Sequence, residues 1–180
     1  MQRLLVMTII GPDRPGLVRS VAGLVGKYGG NWLESRMSRL GGQFAGTLRV
    51  EVPEAEEQSL IGALQALATE GLRVVAHPDF ASPGPAPRRL KVLELVGQDR
   101  PGIVSQITGA LAKQGVNVEE LNTECASAAM SGETLFKARA LLSMPDSCDT
   151  AALRQELEKI AADLIVEISL TEPVMSEAGR

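Results

Sequence analysis

Two stretches of this sequence combine glycine, proline and a charged pair at matching spacing. Gly11-Pro12-Asp13-Arg14-Pro15-Gly16-Leu17-Val18 returns as Gly97-Gln98-Asp99-Arg100-Pro101-Gly102-Ile103-Val104. Each stretch joins an apolar run to a segment with helical periodicity. Gly11 and Gly97 are expected to let the backbone turn. Gly16 and Gly102 are expected to let another group approach closely. The first-turn N–H groups of the helix then face outward and, with the helix dipole, suit a carboxylate or other anion. Asn31 and Asn117 open the next element, and they are expected beside the same loops. An amide both donates and accepts, which suits a zwitterionic amino acid. The candidate ligand-binding residues are therefore Gly11, Asp13, Arg14, Gly16, Leu17 and Asn31 in the first copy. In the second they are Gly97, Asp99, Arg100, Gly102, Ile103 and Asn117. A plainer role competes with this one: glycine and proline are ordinary turn chemistry, and Asp13 and Asp99 could simply cap helices.

The elements that carry these loops repeat as well. An offset of 86 residues aligns Gly23 with Gly109, Lys27 with Lys113, Gly29 with Gly115 and Asn31 with Asn117. Past residue 134 the offset becomes 92, aligning Phe44 with Phe136, Val50 with Leu142 and Pro53 with Pro145. About six residues are thus inserted between positions 123 and 134, with a lengthened hairpin expected around Ala126 to Gly132. In each copy a short apolar run, Leu4–Ile10 or Leu90–Val96, predicts a buried strand. Leu17, Val21, Leu24 and Val25, like Ile103, Ile107 and Leu111, mark one face of a helix. Pro15 and Pro101 suit a helix's first turn, and Gly29 and Gly115 its left-handed C-terminal cap. Trp32–Leu40 is charged enough for an edge strand, and Gly41-Gly42 turns the chain. Phe44–Val52 then alternates like a half-buried strand. A second helix carries Leu60, Leu64 and Leu67, mirrored by Leu153, Leu157 and Ile160. Leu72–Ala76 and Ile165–Leu170 close the copies.

Strand–helix–strand–strand–helix–strand, written twice, predicts an α+β chain of two ferredoxin-like βαββαβ domains. The expected boundaries are residues 1–78, a Pro-rich linker 79–89, residues 90–172, and a loose tail 173–180.

Composition narrows the function. The chain has 180 residues, 44% hydrophobic and 22% charged, with a net charge of −4. An acidic balance argues against a nucleic-acid surface. Aromatics make up 3%, too few for the stacking platforms of RNA readers. Phe44 and Phe136 are expected in the core, and Trp32 at a domain interface or in a pocket wall. Cys125 and Cys148 make no disulfide framework and suit a reducing compartment, so a cytoplasmic location is expected. No run reaches the ~20 apolar residues of a membrane span. The opening apolar run recurs inside the chain, which marks it as a structural element. The single histidine, His77, is expected in an exposed loop. No triad, metal-ligand cluster or phosphate loop appears, so no catalytic residue, metal or cofactor is assigned.

The motif Gly-x-Asp-Arg-Pro-Gly-(Leu/Ile)-Val followed by Gly-(Gly/Val)-Asn resembles the signature of ACT domains, and it does so twice. Tandem ACT repeats of this length resemble the glycine cleavage system transcriptional repressor family. That resemblance implies ferredoxin-like domains that pair through edge strands or helices and bind an amino acid, here glycine, at the paired interface near the loop. It also implies control of transcription through a protein partner, a transcriptional activator, without direct DNA binding. An allosteric subunit of a metabolic enzyme and a ligand-independent interaction module stay open as alternatives. An exposed edge strand would also let the chain recruit a second copy as a homodimer.

Overall fold

A computed structural model describes residues 1–79, 89–127 and 134–173. The chain divides into two compact units, Met1–Pro83 and Gly84–Arg180. In the first, β1 (Gln2–Pro12), α1 (Leu17–Lys27), β2 (Asn31–Leu40), β3 (Gln43–Pro53), α2 (Glu57–Ala66) and β4 (Arg73–Pro78) follow in that order. A short 3-10 turn, Leu67–Glu70, extends α2. In the second unit the order is β5 (Arg89–Gln98), α3 (Ile103–Lys113), β6 (Asn117–Ser127), β7 (Thr134–Met144), α4 (Thr150–Leu164) and β8 (Val166–Thr171). Each unit forms one antiparallel four-stranded sheet, ordered β2-β3-β1-β4 and β6-β7-β5-β8. This is the ferredoxin-like βαββαβ arrangement, twice over.

The first strand of each unit is central to its sheet yet only half-buried. Leu5, Met7 and Ile9 are fully buried, while the alternating Thr8 and Ile10 are exposed. An apolar run suggests burial on both faces, but both helices cover the same face, so only alternate side chains meet the core. There Leu17, Val21 and Val25 of α1 and Leu60 and Leu64 of α2 close over Leu48, Val50 and Val52 of β3. The second unit repeats this with Ile103, Ile107, Leu111, Leu153 and Leu157 over Leu93, Leu95, Phe136, Ala140 and Leu142. Phe44 is partly buried against the first core, as is Trp32, which packs within its own unit.

The charged strands β2 and β6 are sheet edges, as their composition requires. Each carries a bulge at the same repeat position, between Trp32 and Glu34 and between Val118 and Glu120. The first helices end alike. Gly29 and Gly115 have φ of 68° and 66°. Gly30 N–H donates to the Val25 carbonyl at 2.8 Å and Gly29 N–H to that of Gly26 at 3.0 Å, as Val116 does to Leu111 and Gly115 to Ala112, both at 3.0 Å, the paired bonds of a Schellman cap. The expected hairpin extension falls on β6 as far as Ser127; residues 128–133 lie outside the described residues. So do 80–88 of the expected linker and 174–180 of the expected tail. His77 lies in β4, opposite Val6, and so sits on a strand instead of in a loop.

Candidate functional site

The motif loops run from the end of the first strand to the start of the first helix. Gly11 and Gly97 do not turn the chain; they lie inside strands β1 and β5. Their role is close approach. A Cβ on Gly11 would stand 2.7 Å from the Gly71 carbonyl oxygen, and one on Gly97 would stand 2.7 Å from the Val166 Cα. The turn is made by Gly16 and Gly102, at φ 95° and 93°, where no β-carbon would meet a crowded neighbour. The two pairs of glycines thus exchange the roles expected of them, because the motif's first glycine still belongs to the sheet.

Gly16 and Gly102 are also the helix N-caps, with no side-chain cap. Pro15 and Pro101 therefore precede the helices instead of opening them, and neither Asp13 nor Asp99 caps. Ser20 N–H donates to the Gly16 carbonyl at 2.9 Å and Gln106 N–H to that of Gly102 at 3.0 Å. That closes the first turn and leaves the N–H groups of Leu17, Val18 and Arg19, or Ile103, Val104 and Ser105, without an intrahelical acceptor. The Leu17 and Ile103 side chains are core residues, 4% and 3% exposed, so these positions can offer a ligand only backbone.

Each loop is tied to the adjacent hairpin. Asp13 N–H donates to the Gly42 carbonyl at 2.8 Å, and Asp99 N–H donates to that of Thr134 at 3.0 Å. Gly42 and Thr134 are repeat equivalents, so the tie survives the insertion. In the first loop the Asp13 carboxylate accepts from Arg39 at 3.3 Å. Arg14 donates to the Glu70 carboxylate at 3.1 Å and to its carbonyl at 3.2 Å. In the second, Arg100 donates to the Gln98 side-chain oxygen at 3.2 Å.

Within its own unit, neither Asn31 nor Asn117 is beside the motif loop. Asn31 pairs with Glu51, which pairs with Leu4, whereas Gly11 pairs with Phe44. Leu4 and Gly11 are seven residues apart on one extended strand, so Asn31 sits ~23 Å from the loop of its own unit. The same register holds in the second unit, where Asn117 pairs with Ser143 and Gly97 with Phe136. The Asn117 amide donates to Glu119 at 2.9 Å. Sequence proximity misled here because a helix and a turn return the chain to the opposite end of the sheet.

Arg39 and Glu70 were missed as loop neighbours. The signal for Arg39 was present in the hairpin: the Gly41-Gly42 turn sets Arg39 opposite Phe44, next to Gly11. Among the described residues no group of three or more His, Cys, Asp or Glu side chains could hold a metal ion. Among them, too, no helix is long and apolar enough to cross a membrane. Cys125 is exposed and Cys148 buried. Burial pushes the Cys148 thiol up from its ordinary 9.0, Arg89 opposes this, and Asp149 adds to it. Cys148 therefore stays protonated near neutral pH and is a poor nucleophile.

The family model for the ACT domain matches residues 3–76 and 90–171. The glycine cleavage system transcriptional repressor of Escherichia coli is 23% identical over 170 residues, covering 94% of this chain and 90% of the relative. A UPF0237 protein of Streptococcus mutans is 28% identical over 87 residues, 48% of this chain and 92% of its own length. Among solved structures, an unknown protein from Galdieria sulphuraria superposes with a TM-score of 0.86 at 29% identity, covering 97% of this chain and 100% of that one. Two family matches on two βαββαβ units, each with the same motif loop, lead to one conclusion: this chain belongs to the ACT domain family and carries two ACT domains in tandem.

Proposed function

We propose that this chain is an amino-acid-responsive regulator that acts on a partner protein. The observation that carries the reading is the motif loop, built the same way in both units: an exposed Asp-Arg pair, a left-handed glycine cap, and unpaired helix N–H groups. These features offer a cation partner and an anion partner within one turn, which is what an amino acid's ammonium and carboxylate require. Glycine is the suggested ligand, and the partner a transcriptional activator. Both suggestions rest on similarity to the Escherichia coli repressor. Ligand binding would bias the chain between conformations that differ in affinity for the partner. Edge strands β2 and β6 offer the partner, or a second copy of the chain, unpaired backbone.

One observation favours a second reading, a ligand-independent interaction module. The charged pair of the first loop is already engaged by Arg39 and Glu70, as it would be if the motif were only structural. Thermal unfolding of the full chain against the common amino acids, one at a time, decides between the two. A ligand at ~100 times its dissociation constant stabilises by ~2.7 kcal/mol. A selective rise in Tm with glycine or a close relative is the expected result. An unmoved Tm at millimolar concentrations of every amino acid would overturn the sensor reading and leave the interaction module.

A further inference from the structure

The two motif loops share a sequence but differ in what surrounds them. The strand registers identify equivalent neighbours. Arg39 pairs with Phe44 as Cys125 pairs with Phe136. Ile9 pairs with Val74 as Leu95 pairs with Ile168, so counting back along the strand sets Glu70 on Leu164. The arginine that holds Asp13 is thus replaced by Cys125 in the second unit. The glutamate that holds Arg14 is a leucine, 8% exposed and part of the core. Neither substitute can neutralise a charge. Among the described residues Asp99 has no ion-pair partner, and Arg100 bonds only the neutral Gln98 amide.

We propose that the second loop, through Asp99 and Arg100, is the ligand-binding loop of this chain, and that the first is closed by its own ion pairs. The ligand class is a small zwitterionic amino acid, its ammonium on Asp99 and its carboxylate toward Arg100. A ligand at the first loop would have to displace Arg39 and Glu70 before gaining anything. Those pairs are exposed, so the resulting preference for the second loop is about tenfold. This assignment rests on the reading that the loops bind amino acids, and it fixes a stoichiometry of one ligand per chain.

The test is isothermal titration of the full chain with glycine, alanine, serine and aspartate as probes. The expected result is one site per chain for the probe that binds. Asp99→Asn with Arg100→Gln should weaken that site by about tenfold or more. Arg39→Cys with Glu70→Leu frees Asp13 and Arg14 and should raise the stoichiometry from one to two. All four positions are exposed or partly so, and an unchanged circular dichroism spectrum would show that each variant is folded. Two equal sites in the wild-type chain, or full affinity in the Asp99→Asn/Arg100→Gln chain, would overturn the assignment and leave the sensor reading standing. Silence with every probe would overturn the assignment of a small zwitterionic ligand to this loop, and the sensor reading would then rest on the full thermal screen.

Discussion

At the scale of single residues, the repeat gives an internal control: one fold position carries two different side chains. After the second helix of each unit the chain passes through a left-handed residue, Gly71 at φ 87° and Ile165 at φ 58°. Glycine adopts that conformation freely, but a β-branched residue there is a steric outlier that costs roughly 1–2 kcal/mol. Ile165 is 66% exposed, so its side chain recovers little by burial. Ile165→Gly should therefore stabilise the chain by about 1 kcal/mol, less what glycine's extra freedom costs in the unfolded state. A higher urea midpoint would show it; a lower one would mean the side chain makes packing contacts that outweigh the strain. Cys148 allows a test by pH. Its folded-state thiol is raised by burial, so the folded chain holds that proton more tightly than the unfolded chain. The resulting stability is complete below pH ~9 and fades as pH rises through the higher folded value. Cys148→Ala should flatten that alkaline decline. A thiol reagent at about pH 8 should label the exposed Cys125 well before Cys148, and equal rates would contradict the burial.

At the scale of elements, α4 differs from the other helices in having a side-chain cap. The Asp149 carboxylate accepts from the N–H groups of Ala151 and Ala152, both at 3.0 Å. Asp149→Ala should cost about 1 kcal/mol, and Asp149→Asn, which keeps the acceptor, should cost less; equal losses in the two would deny the cap. Element order, edge strands and the Gly41-Gly42 turn were legible in the sequence, since hydrophobic period and glycine placement act locally and the duplication stated the element order twice. What failed depended on register. Gly97 reads as a turn residue until β8 is laid beside it, when Val166 leaves no room for a side chain. Asn31 reads as a neighbour of the loop because it follows α1 closely, yet β3 shows it at the far end of the sheet. Asp13 and Arg14 were legible as a charged pair, but their partners Arg39 and Glu70 come from elements 26 and 56 residues away in sequence. Local periodicity carries no information about such pairings.

At the scale of the whole molecule, the question is whether a regulator of this kind touches nucleic acid itself. The chain carries 18 Lys and Arg against 22 Asp and Glu. Several of its cations also already face carboxylates: Arg3 with Glu54, Arg39 with Asp13, Arg49 with Asp79, Lys113 with Glu156 and Arg139 with Glu94. Binding a duplex needs several unneutralised cations on one face, because affinity comes from releasing counterions condensed on the phosphates. A cation already facing a carboxylate releases few, and the net negative charge adds repulsion. Fluorescence anisotropy of a labelled duplex should therefore stay flat at about 150 mM salt until the protein reaches roughly 10⁻⁴ M, the weak end of non-specific binding. Adding glycine, the proposed ligand, should not change this, since a small zwitterion brings no net charge. Sub-micromolar, salt-sensitive binding by the chain alone would sink the partner-mediated reading, because regulation would then need no second protein. A flat titration would direct the search to a protein with its own DNA-binding surface, whose grip on the edge strands of this chain should vary with the ligand.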